Sequence, residues 1–187
     1  MQHPHPSIRP IPLNRSERMY LAMEGVVGAV SQVYALRFHE AHAEDELRGA
    51  IRHILRIYPR MRSVIRPTAF THGLQVLPDD AQMDTLFAKA FQILRGVPMD
   101  TASLETLMAT FAGEPFDLEH ELPMRARLLV DGPVSVLIFI VHHVVCDGRG
   151  MVRMMDSIMA CLNGAQHPEI SVDKPGMLPA VLPGSWT

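Results

Sequence analysis

A seven-residue segment at 142–148, with the sequence His-His-Val-Val-Cys-Asp-Gly, carries the side chains of this chain that are best suited to chemistry. Its two histidines follow an apolar run, and an aspartate and a glycine come four and five residues after the second histidine. An imidazole titrates near neutral pH, so His143 at a strand end can act as a general base. Asp147 can hold the loop or the ring in place, and Gly148 permits a close approach that a side chain would block. The segment therefore predicts an acid–base site.

Other chemistry is open to the same side chains. His142, His143 and Asp147 are residue types that bind metal ions, but the sequence has neither an HExxH nor a CxxC pattern, and we expect no metal. Cys146 could be a nucleophile beside a histidine, although its place inside the segment favours a small core residue. We expect His142 to pack inside and form hydrogen bonds rather than to react.

The elements that position this segment have clear patterns. Apolar runs at 124–130 and 134–142 predict two strands, joined by a hairpin turn at Asp131-Gly132. The second run is apolar on both faces, which predicts a central strand covered on both sides. A helix is predicted over 150–162. Its apolar residues, which form core or shape an acyl pocket, are Met151, Met154, Met155, Ile158 and Met159.

Elsewhere the periodicity predicts a mixture of helices and strands. Helices are predicted over 14–23, 44–58, 82–95 and 103–112, and strands over 31–39, 62–66 and 74–77. The glycine-rich stretch 25–30 is predicted to be a buried connection rather than a ligand loop. One stripe of arginines is open to two interpretations. It could be a docking face for phosphates or a carrier protein, or it could be a solvated helix face, which is the favoured interpretation. It consists of Arg48, Arg52, Arg56 and Arg60.

Length and composition restrict the class of protein. The chain has 187 residues, of which 48% are hydrophobic and 20% charged, and its mean hydropathy is +0.10. These values suit one compact domain or one lobe of a larger protein and exclude a wholly disordered chain. We see no signal peptide and no apolar run long enough to cross a membrane. The two cysteines exclude a disulfide framework and fit a reducing cytoplasm.

Charge is distributed unevenly along the chain. Residues 1–66 hold ten arginines and six acidic residues, a net charge of +4, and residues 67–187 hold seven basic and fourteen acidic residues, a net charge of −7. A pI near 6.3 argues against general nucleic-acid binding. The basic half could still meet an anionic ligand, such as a phosphate group or an acidic carrier protein.

The segment at 142–148 matches the HHxxxDG motif of the chloramphenicol-acetyltransferase-like superfamily. That group includes nonribosomal-peptide condensation domains, BAHD acyltransferases, wax-ester synthases and polyketide-associated acyltransferases. Three further stretches resemble this family. YPRMRSVI at 58–65 resembles its HPxLR(S/T) stretch, which ends the first long helix. EPFDL at 114–118 with LPMRA at 122–126 resembles its PFDL…PL-R approach to the motif strand, and PLNRSE at 12–17 resembles its N-terminal entry. Order and spacing agree over residues 10–165.

The resemblance implies a fold and a set of roles. The fold would be α/β, an α+β two-layer sandwich with a mixed, largely antiparallel sheet covered by helices. His143 would be the general base that moves an acyl group from a coenzyme A or phosphopantetheine thioester to an alcohol or amine, without a covalent acyl-enzyme and without a bound cofactor. His142 would be structural, Asp147 would hold the loop through an arginine, with Arg62 as the candidate, and Gly148 would line the passage of the thioester arm.

The chain departs from the family in length. Most members are two-lobed chains of more than twice this length, whereas this chain ends 39 residues after Gly148 and has no DFGWG-like segment. We therefore expect an N-terminal lobe over 1–164 and a proline-rich interlobe linker over 165–187. The expected partner is a C-terminal lobe, in the same natural chain or a separate one, or a second copy of this lobe, together with a possible acyl carrier protein. The alternative is a non-catalytic binding or scaffold lobe that retains the motif.

Overall fold

A computed structural model describes residues 10–39, 42–69, 71–132 and 134–165 of the chain. The predicted linker lies outside these residues except for Ala165. Helices are α1 Arg15–Val27, α2 Glu44–Ile57, α3 Ala81–Ala90, α4 Thr101–Gly113 and α5 Gly148–Leu162, with a 3₁₀ turn at Pro59–Arg62. Strands are β1 Ile11–Pro12, β2 Ser31–Phe38, β3 Ser63–Pro67, β4 His72–Val76, β5 Phe91–Arg95, β6 Met124–Asp131 and β7 Val134–His142.

The strands form a small sheet and a larger one among the described residues. The small sheet has the order β1-β4-β3 and is antiparallel throughout. The larger sheet has the order β2-β7-β6-β5, and only its β5–β6 pair is parallel. Helices α2 and α5 pack against each other, and α4 packs against β2 and β7. This confirms the predicted mixed, largely antiparallel architecture with covering helices.

Strand β7 occupies the centre of the larger sheet, as its two apolar faces predicted. It lies between β2 and β6, and the residues from Val136 to Val141 are fully buried. Burial of each such aliphatic or aromatic side chain stabilises the fold by roughly 1.5–3 kcal/mol. Successive side chains of a strand point to opposite faces, so this buried strand delivers its last residue, His142, and the following His143 to different surroundings.

One predicted helix is too long. The helix predicted over 82–95 ends at Ala90, and residues Phe91–Arg95 form the edge strand β5. They pair in parallel with β6, with Phe91 opposite Ala126 and Arg95 opposite Val130. The pairing is made with residues far along the chain, so a tertiary contact overrides the local helical pattern.

The prediction for the glycine-rich stretch 25–30 is also wrong. Helix α1 continues through Val27, and Gly28 ends it with a φ of 88°. Val26 is 85% exposed and Val27 is 65% exposed, so the end of α1 is an apolar surface rather than a buried connection. The start of α1 is fixed by a capping box. The Asn14 side-chain oxygen accepts from the Glu17 backbone amide, and the Glu17 carboxylate accepts from the Asn14 backbone amide.

The arginine stripe, which runs along α2 and ends in the following 3₁₀ turn, makes its contacts within the lobe. Its members contact the following groups: Arg48 lies over the Phe91 ring, Arg52 pairs with Asp79 and Asp84, Arg56 with Asp79, and Arg60 with Glu17. Ion pairs within the lobe, which neither interpretation of the stripe included, therefore engage three of these side chains, and an aromatic ring engages the fourth, Arg48. The methionine-rich set of α5 is mainly core, since Met151, Met154, Met155 and Ile158 are buried.

Candidate functional site

His143 lies in the turn between β7 and α5, held on three sides by the N-terminal part of the chain. Its backbone amide donates to the carbonyl of Val30 at 3.0 Å, which ties the turn to the start of β2. The Tyr20 ring of α1 stacks on the imidazole, with ring centroids 4.3 Å apart and an interplanar angle of 15°. The side chain is half-buried, so a reactant can still reach it. Packing and a backbone hydrogen bond thus fix the ring at the lobe surface.

Gln32 contacts a ring nitrogen of His143. Its Nε2 lies 3.2 Å from His143 Nδ1 and donates to the carbonyl oxygen of Cys146 at 2.7 Å. Gln32 therefore joins strand β2 to both ends of the motif turn. His143 Nε2 forms no hydrogen bond with the residues that the structure describes.

His142 is placed in the opposite way, with no exposed surface. Its Nδ1 accepts from the Val144 amide at 3.0 Å, and its Nε2 lies 3.2 Å from Glu24 Oε2. Since Nδ1 accepts, Nε2 of the neutral ring carries the proton and donates to Glu24. Phe116 packs edge-on at 5.8 Å. Burial lowers the pKa of His142, against the opposing charge of Glu24. Both ring nitrogens are consumed internally, which is the packed arrangement predicted for this residue.

The predicted pairing of Asp147 with Arg62 is wrong. Asp147 is exposed and caps α5, with Oδ1 accepting from the Gly150 amide at 2.8 Å. Arg62 donates instead to the carbonyls of Leu55, Arg56 and Leu77. Each group bonds backbone instead: the aspartate accepts from an amide at a helix start, and the arginine donates to two carbonyls at the end of α2 and to that of Leu77, just after β4.

The two glycines after Asp147 differ in the space around them. A Cβ on Gly148 would lie 3.8 Å from both Gln32 Oε1 and the Tyr34 hydroxyl, which is ordinary contact. A Cβ on Gly150 would lie 2.6 Å from Cys146 Sγ, so that thiol would have to move. Close packing therefore requires glycine at 150 more than at 148.

Cys146 is not poised as a nucleophile. Its Sγ donates to the Asp147 carbonyl at 3.2 Å. Burial, with a smaller contribution from the Asp147 charge, raises the pKa of the thiol to about 12. The nucleophilic thiolate is therefore scarce at neutral pH.

An apolar surface adjoins the site. Four of the large apolar side chains that are exposed in the described chain lie on α1, the helix that supplies Tyr20: Met19, Met23, Val26 and Val27.

Within the described ranges, no three His, Cys, Asp or Glu side chains are arranged to hold a metal ion. No helix of the part that the structure describes is long and apolar enough to span a membrane.

Sequence analysis missed the residues that surround the two histidines. Tyr20, Glu24 and Gln32 lie more than 100 residues before the motif and belong to no recognisable pattern with it. The EPFDL stretch at 114–118 was found by resemblance, and the structure places its Phe116 against His142. Only the fold brings these side chains together.

Comparisons with known proteins extend this description. None of the protein-family models compared with the chain matches it. Over 177 residues the chain is 24% identical to N-(5-amino-5-carboxypentanoyl)-L-cysteinyl-D-valine synthase of Amycolatopsis lactamdurans, covering 91% of this chain and 4% of the synthase.

Solved structures share the fold. An X-domain in complex with OxyB, from teicoplanin biosynthesis, matches with a TM-score of 0.70 and 16% identity, over 91% of this chain and 37% of that one. The first condensation domain of the CDA synthetase matches with a TM-score of 0.68 and 14% identity, over 88% of this chain and 44% of that one. The chain thus spans less than half the length of each matched structure.

Proposed function

We propose that this chain, which has the fold shared by condensation domains and the wider chloramphenicol-acetyltransferase-like superfamily, is the N-terminal lobe of a thioester-dependent acyltransferase. The observation that carries the proposal is the placement of His143. Its imidazole lies at the end of the central strand, stacked on Tyr20, half-exposed, and with Nε2 unoccupied among the described residues. An imidazole in this position can exchange a proton with a substrate.

The reaction proposed is direct acyl transfer. The nitrogen or oxygen of an amine or alcohol attacks the thioester carbonyl, and its proton passes to the imidazole of His143. The tetrahedral intermediate then collapses, the carbon–sulfur bond breaks, and the leaving thiolate takes the proton from the imidazolium. The protonated Cys146 thiol takes no part, in keeping with its raised pKa.

The thioester arm is proposed to approach beside Gly148. The missing side chain leaves a space bordered by Gln32 Oε1 and the Tyr34 hydroxyl, two polar groups that can hydrogen-bond the amides of a pantetheine arm. Coenzyme A and a carrier protein both present this arm, so the donor is described by that shared chemistry. No arginine of the α2 stripe is needed for this approach, since each is engaged within the lobe.

A second lobe is proposed to complete the site. The exposed apolar residues of α1 adjoin Tyr20 and hence His143, and Val26 at 85% exposure is the extreme case. Such surfaces mark interaction sites, and the matched condensation-domain chain is more than twice the length covered here. We therefore propose that α1 faces a partner lobe, supplied by the same natural protein, by another chain, or by a second copy.

A scaffold function is the alternative. One matched structure is an X-domain solved in complex with OxyB, so this fold can also serve in a protein complex. On this alternative the lobe would bind a partner without turning over a thioester.

An activity assay with and without a candidate second lobe tests the proposal. Acetyl-coenzyme A and an acetyl-phosphopantetheinyl carrier protein are offered with a panel of amines and alcohols, and acyl products are measured by mass spectrometry. We expect turnover only with the second lobe, and turnover lower by roughly 10²- to 10⁴-fold in H143A. A monodisperse monomer with full turnover would refute the half-enzyme proposal, and tight partner binding without any turnover would favour the scaffold.

Light scattering tests the α1 surface. We expect V26S/V27S to weaken association of the chain with itself or with the second lobe. V152S is the matched control, because Val152 is also an exposed valine, 52% accessible, on α5. Equal effects of the two substitutions would contradict the assignment of α1 as the interface.

A further inference from the structure

The orientation of the Gln32 side-chain amide is fixed by Cys146. One end of the amide lies 2.7 Å from the Cys146 carbonyl oxygen. A carbonyl oxygen can only accept a hydrogen bond, so this end must be the NH₂ group. The opposite orientation would place two oxygens against each other.

The same NH₂ group determines what His143 Nδ1 can be. It lies 3.2 Å from Nδ1 and has a second hydrogen to give. An NH₂ group does not accept a hydrogen bond from a ring N–H, so Nδ1 must carry the lone pair. A neutral imidazole has one protonated nitrogen, and here that nitrogen is Nε2.

We infer that Gln32 is a positioning residue that sets the tautomer of His143. When no second lobe is bound, the proton of the neutral ring is held on Nε2. The Val30 carbonyl accepts from the His143 backbone amide and the Tyr20 ring stacks on the imidazole, so the turn and the ring are both held beside Gln32. The contact bridges strand β2 and the motif turn, and its strength depends on the Cys146 carbonyl staying in place.

The inference has a catalytic consequence, which rests on the proposed function. A base that receives a proton through Nε2 needs its lone pair there, and Gln32 keeps that lone pair on Nδ1. Proton acceptance from a substrate therefore requires the Gln32 contact to be broken or its amide to turn. Oε1 of Gln32 borders the space beside Gly148, so a group that enters there meets the side chain that controls the base.

Nitrogen-15 NMR of the 187-residue chain tests the inference directly. The two ring-nitrogen shifts of a neutral histidine identify which nitrogen is protonated, and the signals of His143 are those missing from H143Q. We expect a single tautomer with the proton on Nε2 in the wild type. Q32A should give averaged shifts of a mixture, because the donor is lost.

Q32E reverses the chemistry at the same place. A carboxylate can only accept, so it should draw the proton of the neutral ring to Nδ1. Q92A and Q92E are the matched controls, because Gln92 is exposed on β5, and they should leave the His143 signals unchanged. A wild-type proton on Nδ1, or a Q32E chain that keeps the wild-type tautomer, would overturn the inference.

Turnover with the second lobe separates this inference from the proposed function. If His143 is the base, Q32E should transfer acyl groups faster than Q32A, since it leaves the Nε2 lone pair free. A tautomer that moves as expected while Q32E is no faster than Q32A would contradict the base role and leave the tautomer assignment standing.

Discussion

His142 and His143 are consecutive in the chain but belong to two regions built in opposite ways. The region around His142 is closed: the ring has no exposed surface, and Val144 and Glu24 occupy its two nitrogens. The region around His143 is open: Gln32 occupies one nitrogen, Tyr20 covers one face, and the side chain is half-exposed. The difference shows that one strand end holds a buried, internally bonded histidine beside a half-exposed histidine, the one proposed to do chemistry.

The largest effect is expected at the open region. H143A should lower acyl transfer by the assembled enzyme by roughly 10²- to 10⁴-fold, because general-base catalysis is lost, and should leave the free energy of unfolding nearly unchanged. H72A is the control, since His72 is exposed on β4. Initial rates at saturating donor and a urea melt measure the two quantities. Near-full activity of H143A would show that His143 is not the base.

Substitution of His142, in the closed region, should instead lower the free energy of unfolding. H142A removes the partner of the buried Val144 amide and of the half-buried Glu24, and one buried polar group left unpaired costs about 1–3 kcal/mol. We expect a fall of that size in the free energy of unfolding, measured by urea titration. H142Q, which keeps a donor and an acceptor, should recover part of the loss. An unfolding free energy unchanged in H142A would contradict the closed arrangement.

The same residue gives stability a pH dependence. Because burial lowers the pKa of His142 in the folded chain, the unfolded chain takes up a proton first as the pH falls below about 6.5. Stability from this residue is therefore present above that pH and is lost as the pH falls through the folded-state value. Urea melts over this range should show a smaller pH slope in H142Q than in the wild type or H72Q. Equal slopes would mean that His142 is not held neutral by burial.

Removal of the N-cap of α5, the Asp147 side chain, should have a smaller effect on the free energy of unfolding. Asp147 is exposed and accepts one hydrogen bond from Gly150, so D147A should cost about 0.5–2 kcal/mol, the usual cost of losing an N-cap. A buried ion pair would have cost about 3–5 kcal/mol. D147S retains a capping oxygen and should lose little. A loss in the larger range would indicate an arginine partner after all.

Much of the fold follows from local pattern. The centre of the sheet could be predicted because β7 is apolar on both faces, and α2 because its buried positions recur at helical spacing and proline follows. Strand β5 could not, since residues Phe91–Arg95 continue a helical pattern and become a strand only by pairing with β6. Local pattern also gave no partner for Arg62, whose carbonyl partners are set by how α2 ends.

The candidate site also has one part that can be predicted from the sequence and one part that cannot. The motif is contiguous, so its histidines, aspartate and glycine can be recognised from the sequence. Gln32, which contacts His143 Nδ1, lies 111 residues away from it, and Glu24, which contacts His142 Nε2, lies 118 residues away from it. The Gln32 contact follows from strand register, with Gln32 opposite Val141 and Ser31 opposite His142, whereas the Glu24 contact comes from helix α1. No local signal specifies such register.

The smallest effect on folding is expected at Gly148, on the open side. Its backbone does not have a positive φ, and an added Cβ would make only ordinary contacts. G148A should therefore raise the free energy of unfolding slightly, by about 0.4–1 kcal/mol, through lower entropy of the unfolded chain. If the thioester arm passes this point, the same methyl group should raise KM for the donor in the assembled enzyme. G150A is the contrast, because its Cβ would displace the Cys146 thiol and overpacking of this kind costs about 1–3 kcal/mol. An unchanged donor KM in G148A would show that the arm passes elsewhere. A raised KM could not be attributed to unfolding, because G148A is expected to lose no stability.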